Sequence, residues 1–133
     1  MNRFLPGSCD PDSLGSLTLA FLGDGVFDLL VRTRLVQSCD YPAGKLHQLA
    51  VQQVCCQAQA KHMQRSLPLL SEQELAVYKR GRNAHTNHTP KNATNAEYHA
   101  ATGCEALFGY LYLKGNVERL EELFDTMMQP EQE

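Results

Sequence analysis

The amino-acid sequence predicts an all-α fold, and three observations predict it. Apolar residues recur at three- and four-residue spacing along most of the chain. Two Ser/Thr-x-x-Glu signatures stand where such runs begin. No stretch alternates apolar and polar residues as a half-buried strand would, and no turn dipeptide joins two strand-like runs.

Taken in order, the first helix begins near Leu14 or Leu17, capped by Asp12 or Ser13, and continues to about Val36. Pro42, a residue favoured in a first helical turn, opens a second helix. That helix puts Leu46, Leu49, Ala50, Val54 and Ala58 on one face and ends before Pro68. Ser71 with Glu74 is a capping box that opens a third helix, which Gly81 is placed to close. Thr94 with Glu97 repeats the signature for a fourth, running to about Leu113 with Gly115 as terminator. Asn116 caps a fifth, whose Val117, Leu120, Phe124 and Met127 recur at helical spacing. Between the third and fourth lies a polar segment, Arg82 to Ala93, of about a dozen residues without periodicity, a length that more often serves function than connection.

With 133 residues and 43% hydrophobic content, the chain is expected to bury one core and form one domain over residues 1–133, its core spanning about 14–125. Five cysteines without a CxxC pair fit a reducing cytoplasm better than a disulfide framework. Neither a signal peptide nor a membrane span is expected, because the most apolar stretch, Ala106 to Leu113, is short and ends at Lys114. The formal charge of -3 argues against a polyanionic partner until its distribution is considered. From Leu75 to Ala96 there is no acid, while Lys79, Arg80, Arg82 and Lys91 contribute +4. From Glu118 onward six acids face Arg119 alone. A polyanion-binding face with a solvated acidic tail is segregated in this way.

Two carboxylates stand in unusual company. Asp24 lies in Ala20-Phe21-Leu22-Gly23-Asp24-Gly25-Val26-Phe27, and Glu105 in Gly103-Cys104-Glu105-Ala106-Leu107-Phe108-Gly109. A glycine inside a helix costs about 1 kcal/mol relative to alanine, and a buried carboxylate needs a partner. Small residues let helices approach closely, so the two acids could face each other across one helix contact. Their repulsion would be relieved by a hard divalent cation such as magnesium, which binds through one or two carboxylates and completes its shell with water and phosphate oxygens. The competing reading has each acid paired with a buried arginine or a backbone group.

Phe21-Leu22-Gly23-Asp24-Gly25-Val26 resembles the signature helix of ribonuclease III, and Glu105-Ala106-Leu107-Phe108-Gly109 its second metal-binding helix. Lys79-Arg80-Gly81-Arg82-Asn83-Ala84, Pro90-Lys91-Asn92 and Thr102 through Leu113 resemble the Mini-ribonuclease III subfamily, a stand-alone nuclease domain without a double-stranded-RNA-binding domain. The resemblance implies a homodimeric helical bundle that cleaves double-stranded RNA with Mg(2+), leaving 5'-phosphate and 3'-hydroxyl ends. Its usual substrate is precursor large-subunit ribosomal RNA, and a ribosomal protein is a possible further partner.

Carried over by position, Asp24 and Glu105 are implied as catalytic residues and metal ligands. Two further carboxylates of the larger enzymes align with Ala20 and Thr102. Asp28, one turn beyond Asp24, is a candidate outer carboxylate, with an i,i+4 ion pair to Arg32 as its rival reading. His47 is a candidate support on the second helix. Lys79, Arg80, Arg82, Asn83, Lys91 and Asn92 are expected to meet the phosphates and shallow groove of A-form RNA. His85 and His88 lack partners at zinc-ligand spacing, and Tyr98, Tyr110 and Tyr112 are expected as core and interface aromatics rather than stacking platforms. Two other classes compete: a non-catalytic RNA-binding or ribosome-assembly module with the same fold, and a helical nucleotide pyrophosphohydrolase, whose usual ExxE pairs are missing around both acids.

Overall fold

Side-chain capping sets the starts of three of the six α-helices. The computed structural model describes residues 4–5, 7–84 and 94–129, and within them every regular element is helical. After a 3-10 turn at Pro11–Ser13, α1 runs Ser16–Ser38, α2 Ala43–Val54, α3 Cys56–Ser66, α4 Glu72–Arg82, α5 Asn95–Leu113 and α6 Val117–Met127. Both expected capping boxes form. The Ser71 hydroxyl accepts from the Glu74 amide at 3.1 Å while Glu74 accepts from the Ser71 amide at 2.9 Å, and Thr94 and Glu97 exchange the same bonds at 3.1 and 2.8 Å. Gly115, at φ 75°, takes the left-handed turn that ends α5.

Three expectations need correction. Asp12 and Ser13 do not cap α1: Asp10 caps the preceding 3-10 turn, and α1 starts after Gly15 without a side-chain cap. The single second helix is two, broken at Cys55, whose extended backbone (ψ 154°) turns α3 away from α2. The break frees α2 to pack on α1 while α3 crosses α5 and α6. Gly81 is the penultimate residue of α4 rather than the residue that stops it, and its place is dictated by α5. A β-carbon there would lie 2.8 Å from the Ala106 β-carbon and 2.9 Å from the Gly103 α-carbon.

The architecture is a bundle around α5, which is buried on nearly all sides from Ala100 to Leu111. A helix apolar all round belongs in a core, and α1, α3, α4 and α6 surround it. Phe27 meets Phe108 and Phe124 edge-on, with ring centroids 5.4 and 5.8 Å apart. Fully burying side chains such as Leu107 or Phe108 contributes about 1.5–3 kcal/mol each. At the periphery, Arg119 on α6 holds Glu74 through two hydrogen bonds of 2.8 Å and reaches the Leu69 carbonyl at 2.7 Å. Tyr110 is buried, and its hydroxyl donates to Asp12 at 2.7 Å and accepts from Gln73 at 2.6 Å, which satisfies its polar tip. Among the described residues all five cysteines are free, and no helix is long and apolar enough to cross a membrane.

Candidate active site

Where α1 crosses α5, the helices touch backbone to backbone. A β-carbon on Gly23 would lie 1.6 Å from the Glu105 carbonyl oxygen, and one on Gly109 would lie 2.1 Å from the Leu19 carbonyl oxygen. Leu19 therefore lies opposite Gly109 and Gly23 opposite Glu105, with the two helices running in opposite senses. Any side chain at either glycine would push the axes apart. Of the two glycines flanking Asp24, only Gly23 serves this approach, since Gly25 has open space around it.

This crossing carries the Asp24 carboxylate to the Glu105 carboxylate, so residues far apart in the chain share one spot. Burial pushes the Glu105 carboxyl up to about 8 from an ordinary value near 4.5, and the hydrogen-bonded Asp24 carboxylate beside it pushes the same way. Asp24 is exposed and Glu105 half-buried, so the pair sits at the edge of the core, open to solvent on the Asp24 side, rather than in a sealed core site. The expectation that Asp24 is buried was too strong: its glycine neighbour is buried instead. No cationic side chain is among the groups that act on Glu105. Two oxygen ligands forced together with their charge unrelieved suit a hard divalent cation, and in its absence the pair keeps a proton.

A third wall comes from α3, which sequence reasoning did not connect to the site. The Cys56 thiol is pushed up by burial and then by Glu105, which places it near that carboxylate. The buried Gln59, one turn further, bonds the buried Cys104 thiol. No sequence signal marks this wall, since it depends on the break at Cys55.

The remaining expected residues divide. Asp28 is held by Arg32 at 3.0 Å, the i,i+4 pair weighed against a role beside the metal. His47 is exposed on α2, in a shallow depression with Arg32 and Val36, two turns of α1 beyond Asp24. The Ala20 side chain is buried and apolar, and the Thr102 hydroxyl donates to the Tyr98 carbonyl at 3.0 Å. Lys79 and Arg80 are exposed on the last turn of α4, which abuts α5 within a turn of Glu105. The Arg82 guanidinium lies 5.7 Å from the Tyr78 ring centroid. Asn83 is the exposed C-cap of α4 and joins Arg80 in lining a cavity of about 560 Å³ that opens against the first turn of α1. Lys91, Asn92, His85 and His88 lie outside the described residues.

Along the outer face of α1, Phe21 and Leu17 stand one and two turns before Asp24; Phe21 is 85% exposed, and Leu17 and Leu29 are half-exposed. Beside them an apolar groove of about 440 Å³ is lined by Leu22, Val26, Leu30, Tyr112 and Leu120.

Residues 17–116 match the family described as Ribonuclease III domain. The Mini-ribonuclease 3 of Thermoanaerobacter sp. (strain X514) is 44% identical over 117 residues, 88% of this chain and 82% of the relative. That of Symbiobacterium thermophilum is 46% identical over 117 residues, covering 88% and 90%. A crystal structure of a Fusobacterium nucleatum protein superimposes with a TM-score of 0.79 at 29% identity, covering 89% of this chain and 94% of that one.

Proposed function

We propose, from the premise that this chain belongs to the ribonuclease III family in its Mini-ribonuclease III branch, that it is an endoribonuclease cutting double-stranded RNA at the Asp24–Glu105 pair with magnesium. The observation that carries the reading is the meeting of those two carboxylates at the glycine crossing of α1 and α5. Asp24 and Glu105 would hold the cation. When bound, such an ion supplies activation of water and neutralisation of charge on a phosphodiester under attack.

The chain's own side chains do the rest. Glu105, anchored on the most buried helix, fixes the position of one ligand, while the exposed Asp24 presents the other to solvent. Lys79, Arg80, Arg82 and Asn83, with Lys91 and Asn92, would hold phosphates and 2'-hydroxyls along the shallow groove. Arg82 is pre-positioned by Tyr78, so less of its freedom is lost on binding. The acidic outer face of α6 repels a polyanion, which orients the duplex toward α4.

The active unit in this proposal is a homodimer. A Phe21 ring left 85% exposed beside an apolar groove is surface that a second copy would cover. Pairing also doubles the basic ends facing one duplex. The natural substrate in this reading is precursor large-subunit ribosomal RNA, with a ribosomal protein as a possible remodelling partner, in the cytoplasm.

The test is digestion of a long RNA duplex with magnesium. Discrete fragments are expected from the wild type, none with chelator, and none from Asp24→Asn or Glu105→Gln, both of which should still bind RNA. Equal cleavage by wild type and both variants would sink the assignment.

A further inference from the structure

Donor atoms around an acid pair decide how many hard cations it can hold. On α1, the positions one turn either side of Asp24 are Ala20, whose side chain has no lone pair, and Asp28, whose Oδ2 accepts from Arg32 Nε at 3.0 Å. On α5, one turn before Glu105 stand Ala101 and Thr102, both buried, and the Thr102 hydroxyl is committed to the Tyr98 carbonyl at 3.0 Å. One turn after it come Phe108 and Gly109, with no polar side chain. The third wall, α3, offers the Cys56 thiol, a soft donor that suits a hard cation poorly. Among the described residues no three His, Cys, Asp or Glu side chains are grouped to hold a metal.

Charge leads to the same count. One divalent cation between two carboxylates is neutral, and magnesium needs only one or two such ligands beside water and phosphate oxygens. A second cation, about 3.5–4 Å away as in two-ion sites, would leave two positive charges uncompensated beside a half-buried carboxylate. A single phosphodiester would cancel only half of that excess.

We propose that each active site of this protein holds one divalent cation, not two, because the Asp24–Glu105 pair, bonded only to each other, is the only oxygen-donor set at the α1–α5 crossing not committed to another residue among the described residues. The inference rests on the metal reading of that pair and goes beyond it by fixing the stoichiometry.

Titration with Mn(2+), followed by the electron paramagnetic resonance signal of the free ion, tests it. One tightly held ion per chain is expected, lost in Glu105→Gln. Two tight ions per chain, both lost in that variant, would overturn the proposal. No tight ion in the wild type would instead overturn the metal reading underneath it. An ion recruited only with substrate is caught by single-turnover cleavage of duplex RNA at subsaturating magnesium. There the logarithmic slope of rate against concentration should be close to one, and a slope of two would overturn the proposal even if Mn(2+) binds singly.

Discussion

Removing the negative charge of Glu105 should stabilise the metal-free protein at alkaline pH. The Glu105 carboxyl is raised from near 4.5 to about 8 by burial and by Asp24. Between those values the folded protein keeps a proton that the unfolded chain releases. Stability therefore falls as pH rises through this window and levels off above it. At about 1.4 kcal/mol per tenfold in proton affinity, the displacement is worth on the order of 5 kcal/mol. That is an upper bound, because water reaches the exposed Asp24 side of the pair.

Glu105→Gln keeps an amide N–H to donate to Asp24 and carries no charge at any pH, so it should be free of this loss. With chelator at pH 9 it should melt above the wild type by on the order of 10 °C, at roughly 3–5 °C per kcal/mol for a domain of this size. The two should converge near pH 5. Added magnesium should raise the wild type alone, since a ligand of the native state stabilises by mass action. Thermal melts of both proteins from pH 5 to 9, with chelator and with magnesium, measure all of this. Equal melting temperatures at pH 9 in chelator, or a wild type whose margin over the variant grows with pH, would refute the reasoning.

Gly23→Ala should destabilise by about 3 kcal/mol or more, the upper end of overpacking costs, because its β-carbon would sit 1.6 Å from the Glu105 carbonyl oxygen. Gly44→Ala, in α2 with nothing within 4 Å, should stabilise by about 0.5–1 kcal/mol; urea melts of both compare them. Arg119→Ala strips Glu74 of its partner and should cost about 2–4 kcal/mol. Since Arg119 holds the Glu74 carboxyl below its ordinary range, this stabilisation is present above pH 4.5 and lost as pH falls through the lowered value. The gap between wild type and variant should accordingly narrow in acid melts. Replacing Lys79 and Arg80 by alanine should weaken duplex binding and reduce its logarithmic salt slope by about one to two. An unchanged slope in a salt series would remove the end of α4 from the interface.

What the sequence made legible was whatever local chemistry decides. The capping boxes at Ser71 and Thr94 and the stop at Gly115 are short-range hydrogen-bond patterns, and they form where expected. Asp24 and Glu105 stood out because glycines are costly in helices, and Gly23 and Gly109 explain that cost by the contact they permit. Illegible were features set by partners distant in sequence. Cys55 carries no helix-breaking side chain, so nothing local announces that α3 turns there to cover α5. Gly81 has the sequence context of a terminator, yet its surroundings on α5 make it an interior contact. The Asp28–Arg32 ion pair, only four residues apart, was by contrast legible in the sequence as one of the two readings of Asp28.

The same packing that makes α5 a core helix makes the carboxylate at its middle, Glu105, unstable as an anion. Ala106, Leu107 and Phe108 are completely buried next to Glu105, so the helix cannot shift to carry the charge into water without opening the core. Gly23 closes the remaining escape by holding the α1 backbone against the Glu105 carbonyl. Bulk at Gly23 would separate the helices, let water in and lower the Glu105 proton affinity, while also moving Asp24 away. Gly23→Ala should therefore weaken Mn(2+) binding at pH 9, where Glu105 of the wild type is already ionised and only geometry can differ. Undiminished binding at that pH would mean that the helix crossing does not set the separation of the two ligands.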